Sequence, residues 1–191
     1  IDVGAAVEVL ADGNVLHLRR DDAFAGVVHL GDILAGEGAT RLAREVEAQA
    51  GGGELGVGAP ISANGWEIAR RSAGCALAAV DAVMGGQVQH AYALTRPPGH
   101  HAEPERAMGF CVFSNAALAA QRAIDHHGLE RVAIVDWDVH YGNGTDRSFA
   151  QRRDVLAISV HQQAGYLQVS GEAHEIGEGE GTGYSLNIPL P

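Results

Sequence analysis

The segment Val135-Asp136-Trp137-Asp138-Val139-His140-Tyr141-Gly142-Asn143-Gly144-Thr145 constrains this chain more than any other. It grows out of Arg131 to Val135, a β-branched apolar run that reads as a buried strand. Side chains alternate along extended backbone, so Asp136, Asp138 and His140 fall on one side. Ionisable groups beside a buried strand need partners. Carboxylate oxygens and imidazole nitrogens suit zinc, iron or manganese. The same letters also fit a solvated loop whose aspartates only cap the next helix. Burial next to the strand favours the metal reading. Trp137 and Val139 face the other way and fit the core better than a site.

Around this segment, strands and helices alternate. Ala69, Ala73, Ala76, Leu77, Val80 and Val83 make one face of a helix over 65–84, stopped by Gly85-Gly86. A short strand is expected at about 91–95. Ser114 can cap a helix running to about His127 and ending at Gly128. A short helix at 146–151 and strands at 155–160 and 184–188 follow. Nearer the start, Asp12-Gly13-Asn14 reads as a turn, and 38–50 as a helix with Thr40 as N-cap. The alternation predicts an α/β fold with a mainly parallel sheet, in one domain spanning 1–191. In such sheets the loops after the strands' C-terminal ends hold the site. Here those are the loops after Thr95 and Val135. Gly51 to Gly56 matches G-x-G-x-x-G by letter but follows a helix, so it is no dinucleotide site.

The loop after Thr95 reads Arg96-Pro97-Pro98-Gly99-His100-His101. Its prolines and glycine fix a rigid turn that presents two adjacent histidines, able to act as general base and electrostatic partner. A surface pair without consequence is the competing reading. His126-His127 is such a structural pair, placed at a helix C-terminus where cationic side chains favour the dipole.

All 13 basic residues are arginine and the formal charge is −11. That balance disfavours direct nucleic-acid binding and mildly favours cationic substrates. A P-loop is impossible without lysine, and no G-x-S-x-G elbow is present. No apolar run approaches the roughly 18 residues of a membrane helix, so no membrane association is expected. Ile1 rather than Met stands first. Cys75 and Cys111 are too few for a disulfide framework and read as buried thiols in a reducing cytoplasm.

Taken together, the two loops resemble the histone deacetylase family, which includes acetylpolyamine amidohydrolases and acetoin-utilisation proteins. The resemblance continues through Gly109-Phe110-Cys111, Ser114-Asn115, Ile158-Ser159-Val160-His161 and Tyr184-Ser185-Leu186-Asn187-Ile188-Pro189. It is good over roughly 60–191 and looser over 26–60. The Arg-Pro-Pro-Gly-His-His loop looks more like class II and bacterial members. The resemblance implies a three-layer arginase/deacetylase-like fold and a zinc-dependent amidohydrolase. Its substrate would be an acetylated lysine peptide or an acetylpolyamine. It implies Asp138 and His140 as zinc ligands, His101 as general base and His100 as its partner, tuned by Asp136, with Asn143 supporting His101. Gly109, Phe110 and Tyr166 would line a narrow substrate tunnel. Asp136, Asp138, His140 and Ser159 would hold a structural potassium ion. An oligomer is compatible with this.

The sequence departs from the family pattern in places. Tyr141 stands where a second histidine is usual, Ser114 replaces an asparagine, and Leu167-Gln168 replaces a proline-rich pair beside the tunnel. The family's third zinc ligand, an aspartate, and its oxyanion-stabilising tyrosine belong to later segments than this chain contains. The expectation is therefore a partial domain whose sheet leaves apolar surface unburied. Alone, it should bind zinc poorly and turn over slowly or not at all. Two other readings compete. One is a deacetylase-like binding module without catalysis. The other is an arginase-like two-manganese hydrolase, disfavoured because Gly142 and Asn143 follow His140 where further ligands would be needed.

Overall fold

The computed structural model describes residues 6–11, 14–18, 51–163 and 165–191. The turn residues 12–13 and the helix expected over 38–50 lie outside them. The described elements run β1 (Ala6–Ala11), β2 (Asn14–Leu18), β3 (Gly53–Glu54), β4 (Pro60–Ile61), α1 (Gly65–Met84) and β5 (Tyr92–Leu94). They continue with α2 (Asn115–Asp125), β6 (Val132–Asp136), α3 (Asn143–Phe149), β7 (Val155–Gln162) and β8 (Ser185–Leu190).

The β-branched runs form the parallel sheet β6-β7-β8, with Val135 opposite Ile158 and Asp136 opposite Ser159. One face packs on helices. Phe149 of α3, Ala117 and Ala120 of α2 and Val155 of β7 are buried there, with Ile134 and Val132 beside them. Small alanines let α2 approach the strands closely. β7 shows the consequence directly, alternating buried and half-buried residues along its length.

The opposite face is apolar and open among the described residues. Val135, Leu186 and Ile188 are exposed on it. Here one expectation fails. Trp137 is 80% exposed and Val139 55%, so neither belongs to the core. Alternation correctly turns them away from Asp136 and His140, but nothing described covers the side they turn to. The expected unburied apolar surface is this one. A second difference concerns β5. It pairs antiparallel with β1, Leu94 opposite Ala6, in a separate sheet of order β2-β1-β5. The His100–His101 loop therefore leaves an antiparallel strand.

Helix α1 carries Ala69 and Ala73 into one core cluster, with Leu55, Val112 and Phe113, and Cys75 and Ala82 into another, with Val88. It is clamped to α2 by polar contacts. Arg122 grips Asp81 through two 3.0 Å bonds, and His127 Nε2 lies 2.7 Å from the same carboxylate. That contact makes His127 structural, as its position implies. Ser114 occupies the N-cap of α2, but its hydroxyl makes no capping bond; its carbonyl accepts from Leu118 N at 2.9 Å. Both cysteines are free and buried. No described helix is long and apolar enough to cross a membrane.

Candidate metal and acid–base site

The proline loop is anchored from beneath. The Pro97 carbonyl accepts from Ser72 Oγ at 2.8 Å and from Asn115 Nδ2 at 3.3 Å. Ser72 belongs to α1 and Asn115 opens α2, so two helices fix the loop before its histidines begin. The Arg96–Pro97 peptide is cis. The second loop then docks on the first. The His100 carbonyl accepts from Gly144 N at 2.8 Å and Thr145 N at 3.3 Å, the second and third amides of α3. This docking needs glycine, because a Cβ on Gly144 would overlap the Ala102 backbone. Gly144→Ala is expected to cost about 1–3 kcal/mol through forced displacement of packed backbone, read as a lower urea midpoint.

The docked loops bring the predicted site residues together. His100 Nδ1 lies 2.8 Å from Asp136 Oδ2, and its Nε2 faces Asp138 Oδ1 at 3.8 Å. Asp136 also accepts from Asp138 N at 3.0 Å, so it orients His100 and the ligand loop at once. Gly142 makes room, since a Cβ there would overlap the Asp136 carboxylate. Asp138 Oδ1 accepts from His140 N at 2.8 Å and lies 3.1 Å from His140 Nδ1.

That last distance tests whether a metal fits. Zinc bonds of about 2.0–2.2 Å at tetrahedral angles place two donors about 3.3–3.6 Å apart, so this pair would need to open by only a few tenths of an ångström. Asp138 Oδ1 and His140 Nδ1 therefore suit one ion in both chemistry and spacing. Their side chains remain open to the outside, at 49% and 41% exposure. No group of three metal-binding side chains exists among the described residues. Burial pushes the Asp138 pKa up, but the His140 backbone N–H and the neighbouring His100 and His140 charges outweigh it, and the carboxyl sits below its ordinary value.

His101 is nearly fully buried, at 3% exposure, and its Nδ1 lies 2.8 Å from Asn143 Oδ1. Its ring packs on His100 with centroids 3.9 Å apart. Burial, then the His100 charge, lower its pKa; the Asn143 bond opposes them without reversing the direction. The buried Cys111 thiol accepts from His101 N at 3.4 Å, and burial pushes its pKa up to about 11.

The three predicted tunnel residues gather around these histidines. Tyr166 stacks on His140 at 4.1 Å and faces His101 at 5.4 Å. Gly109 lies against the His101 ring at φ 51°, where a Cβ would come within 2.5 Å of Cδ2. Phe110 follows at φ 65°, half-exposed at the rim. Leu167, the departure from the family pattern, lies beside them. Its methyl would meet a Gly109 Cβ at 2.8 Å, and it also approaches Gly58. Tyr141 turns away from Asp138 and His140, donating its hydroxyl to Asp146 and packing on His161 at 5.1 Å.

Ser159 sits behind the ligand loop. Its hydroxyl bonds His161 Nδ1 at 2.9 Å and accepts from Gly142 N at 3.3 Å, rather than meeting the other three expected cation donors. Sequence reasoning missed several contributors: Ser72 and Asn115 under the proline loop, and Glu103 behind Asn143. Only Asn115 stood inside a quoted motif. The others are joined to the site by long-range contacts that periodicity does not reveal.

A model of the histone deacetylase domain matches residues 30–191. The chain is 54% identical over 141 residues to a histone deacetylase-like amidohydrolase of Pseudomonas aeruginosa, covering 74% of this chain and 37% of that protein. It is 47% identical over 134 residues to an acetylpolyamine amidohydrolase of Burkholderia pseudomallei, covering 69% and 38%. Among solved structures, the HD domain of HDA15 superposes with a TM-score of 0.78 at 34% identity, over 85% of this chain and 46% of that one. The chain thus spans less than half the length of these relatives.

Proposed function

The chain belongs to the histone deacetylase family, and on that premise we propose that its protein hydrolyses the amide bond of N-acetylated amines, releasing acetate and the free amine. The observation that carries this reading is the convergence of Asp138 Oδ1 and His140 Nδ1 at 3.1 Å, beside a buried His101. We assign zinc to the Asp138–His140 pair, with a further donor supplied by a segment other than the described residues. Zinc there supplies Lewis acidity, polarising an amide carbonyl and acidifying water.

The residues' own work follows from their bonds. Nδ1 of His101 is engaged by Asn143, which leaves Nε2 as the basic nitrogen. Neutral His101 takes a proton from the attacking water and returns it to the departing amine. His100, its Nδ1 held by Asp136 Oδ2, presents its other ring nitrogen beside His101 as that residue's partner. Tyr166, Gly109, Phe110 and Leu167 guide a narrow acylated chain to this point. An acidic protein attracts the cationic remainder of such a substrate, whether a lysine peptide or a polyamine. We also place the protein in the cytoplasm on its two free thiols. The Tyr141 ring, turned towards His161, does not obstruct the pair, so it does not favour a non-catalytic binding module.

Acetate release from an acetyl-lysine peptide and from an N-acetylated polyamine tests the reading, with the complete protein loaded with zinc. Hydrolysis of neither would overturn it. The acid limb gives a second check. A base whose pKa is lowered stays neutral and functional down to more acidic pH. The rate should therefore hold as pH falls through about 6.5, the ordinary histidine value, and drop only below it. A drop centred at or above that value would contradict the assignment of His101.

A further inference from the structure

We infer that Glu103 is a positioning residue that sets the tautomer of His101 through the side-chain amide of Asn143. The inference rests on the role proposed for His101 and adds a residue behind it. Asn143 Nδ2 donates to Glu103 Oε1 at 2.9 Å, while Asn143 Oδ1 faces His101 Nδ1 at 2.8 Å. The amide is a relay with one donating and one accepting end. Which end faces His101 depends on what surrounds the other.

Everything around the Nδ2 end accepts. The Glu103 carboxylate is nearest, followed by the His101 carbonyl at 3.4 Å and Met108 Sδ at 3.6 Å. A carboxylate can only accept, so rotating the amide would set its carbonyl oxygen against a negative charge. The NH2 group therefore stays towards Glu103 and Oδ1 stays towards His101. An oxygen facing Nδ1 requires a hydrogen on Nδ1. The neutral ring then carries its lone pair on Nε2, the nitrogen a general base must use.

The surroundings make this dependence strong. Asn143 is 4% exposed and His101 3%, so their mutual bond is shielded from bulk water. Glu103 is held in place by Arg106, whose Nη2 donates at 3.2 Å, and by a turn in which the two residues exchange backbone bonds. The Glu103 side chain is only 15% exposed although Arg106 is half-exposed. Its burial serves the inward contact, since an ion pair with a half-exposed arginine contributes little.

The test labels the histidines of the complete protein with 15N and reads ring protonation from long-range 1H–15N spectra, with His101→Ala identifying the resonances. His101 is expected as the Nδ1–H tautomer. In Glu103→Ala the two tautomers should mix. In the same variant kcat should fall about tenfold, the lower end for loss of a supporting hydrogen bond, with KM little changed. A swap separates positioning from packing. Asn143→Asp sets two carboxylates face to face and should lower kcat sharply. Adding Glu103→Gln, whose amide can donate, should recover a substantial part. An unchanged tautomer in Glu103→Ala, or a double variant no better than Asn143→Asp alone, overturns the inference. If the wild type hydrolyses no acetylated amine while its tautomer still depends on Glu103, the proposed function fails and the positioning role stands.

Discussion

Replacing His101 with alanine is expected to lower kcat by about two to four orders of magnitude, the usual contribution of a positioned general acid–base, while zinc content is unchanged. The His101 ring nitrogen bonds Asn143 and not the Asp138–His140 pair; its ring centroid lies 5.9 Å from that of His140. Loss of the imidazole should therefore leave metal binding intact and remove proton transfer at both steps. Parallel measurement of turnover and zinc stoichiometry checks this. A variant that loses zinc along with activity would place His101 among the metal ligands and undo the division of roles.

The second large effect belongs to the ligand pair. Asp138→Ala or His140→Ala should weaken zinc binding by more than about a hundredfold, the upper range for changes one shell further out. Activity should vanish with it. The two changes are not equivalent. Asp138 also accepts from His140 N at 2.8 Å, so its loss frees the loop backbone as well as one donor. His140→Ala removes a donor but leaves the bond from Asp138 N to Asp136 in place. Zinc competition with a chromogenic chelator should rank Asp138→Ala as the weaker binder. Equal affinity in both variants and wild type would move the metal elsewhere.

What could be read from the sequence divides along a physical line. Local patterns carried far. The helix expected over 65–84 is Gly65–Met84, and the run at Arg131 to Val135 is the strand Val132–Asp136. Motif chemistry placed His100, His101, Asp136, Asp138, His140 and Asn143 in one cluster, because these residues lie on two short loops whose backbones dock directly. Period-two alternation also turned Trp137 away from the site. It could not tell what lies on the other side, and the ring is exposed rather than buried. β5 was legible as a strand but not as a partner of β1, since a three-residue strand carries no pairing information. Glu103 was invisible because its meaning arises from a contact 40 residues away. Leu167, a departure from the family pattern, lies against Gly109 beside the His101 ring.

Zinc-dependent acetate release is the measurement that bears most directly on the assignment. It would compare the complete wild-type protein with His101→Ala and His140→Ala, each assayed for bound zinc. Hydrolysis of an acetylated amine by wild type alone is expected, with zinc retained in His101→Ala and lost in His140→Ala. Undiminished hydrolysis in either variant, or none by the zinc-loaded wild type, would contradict it.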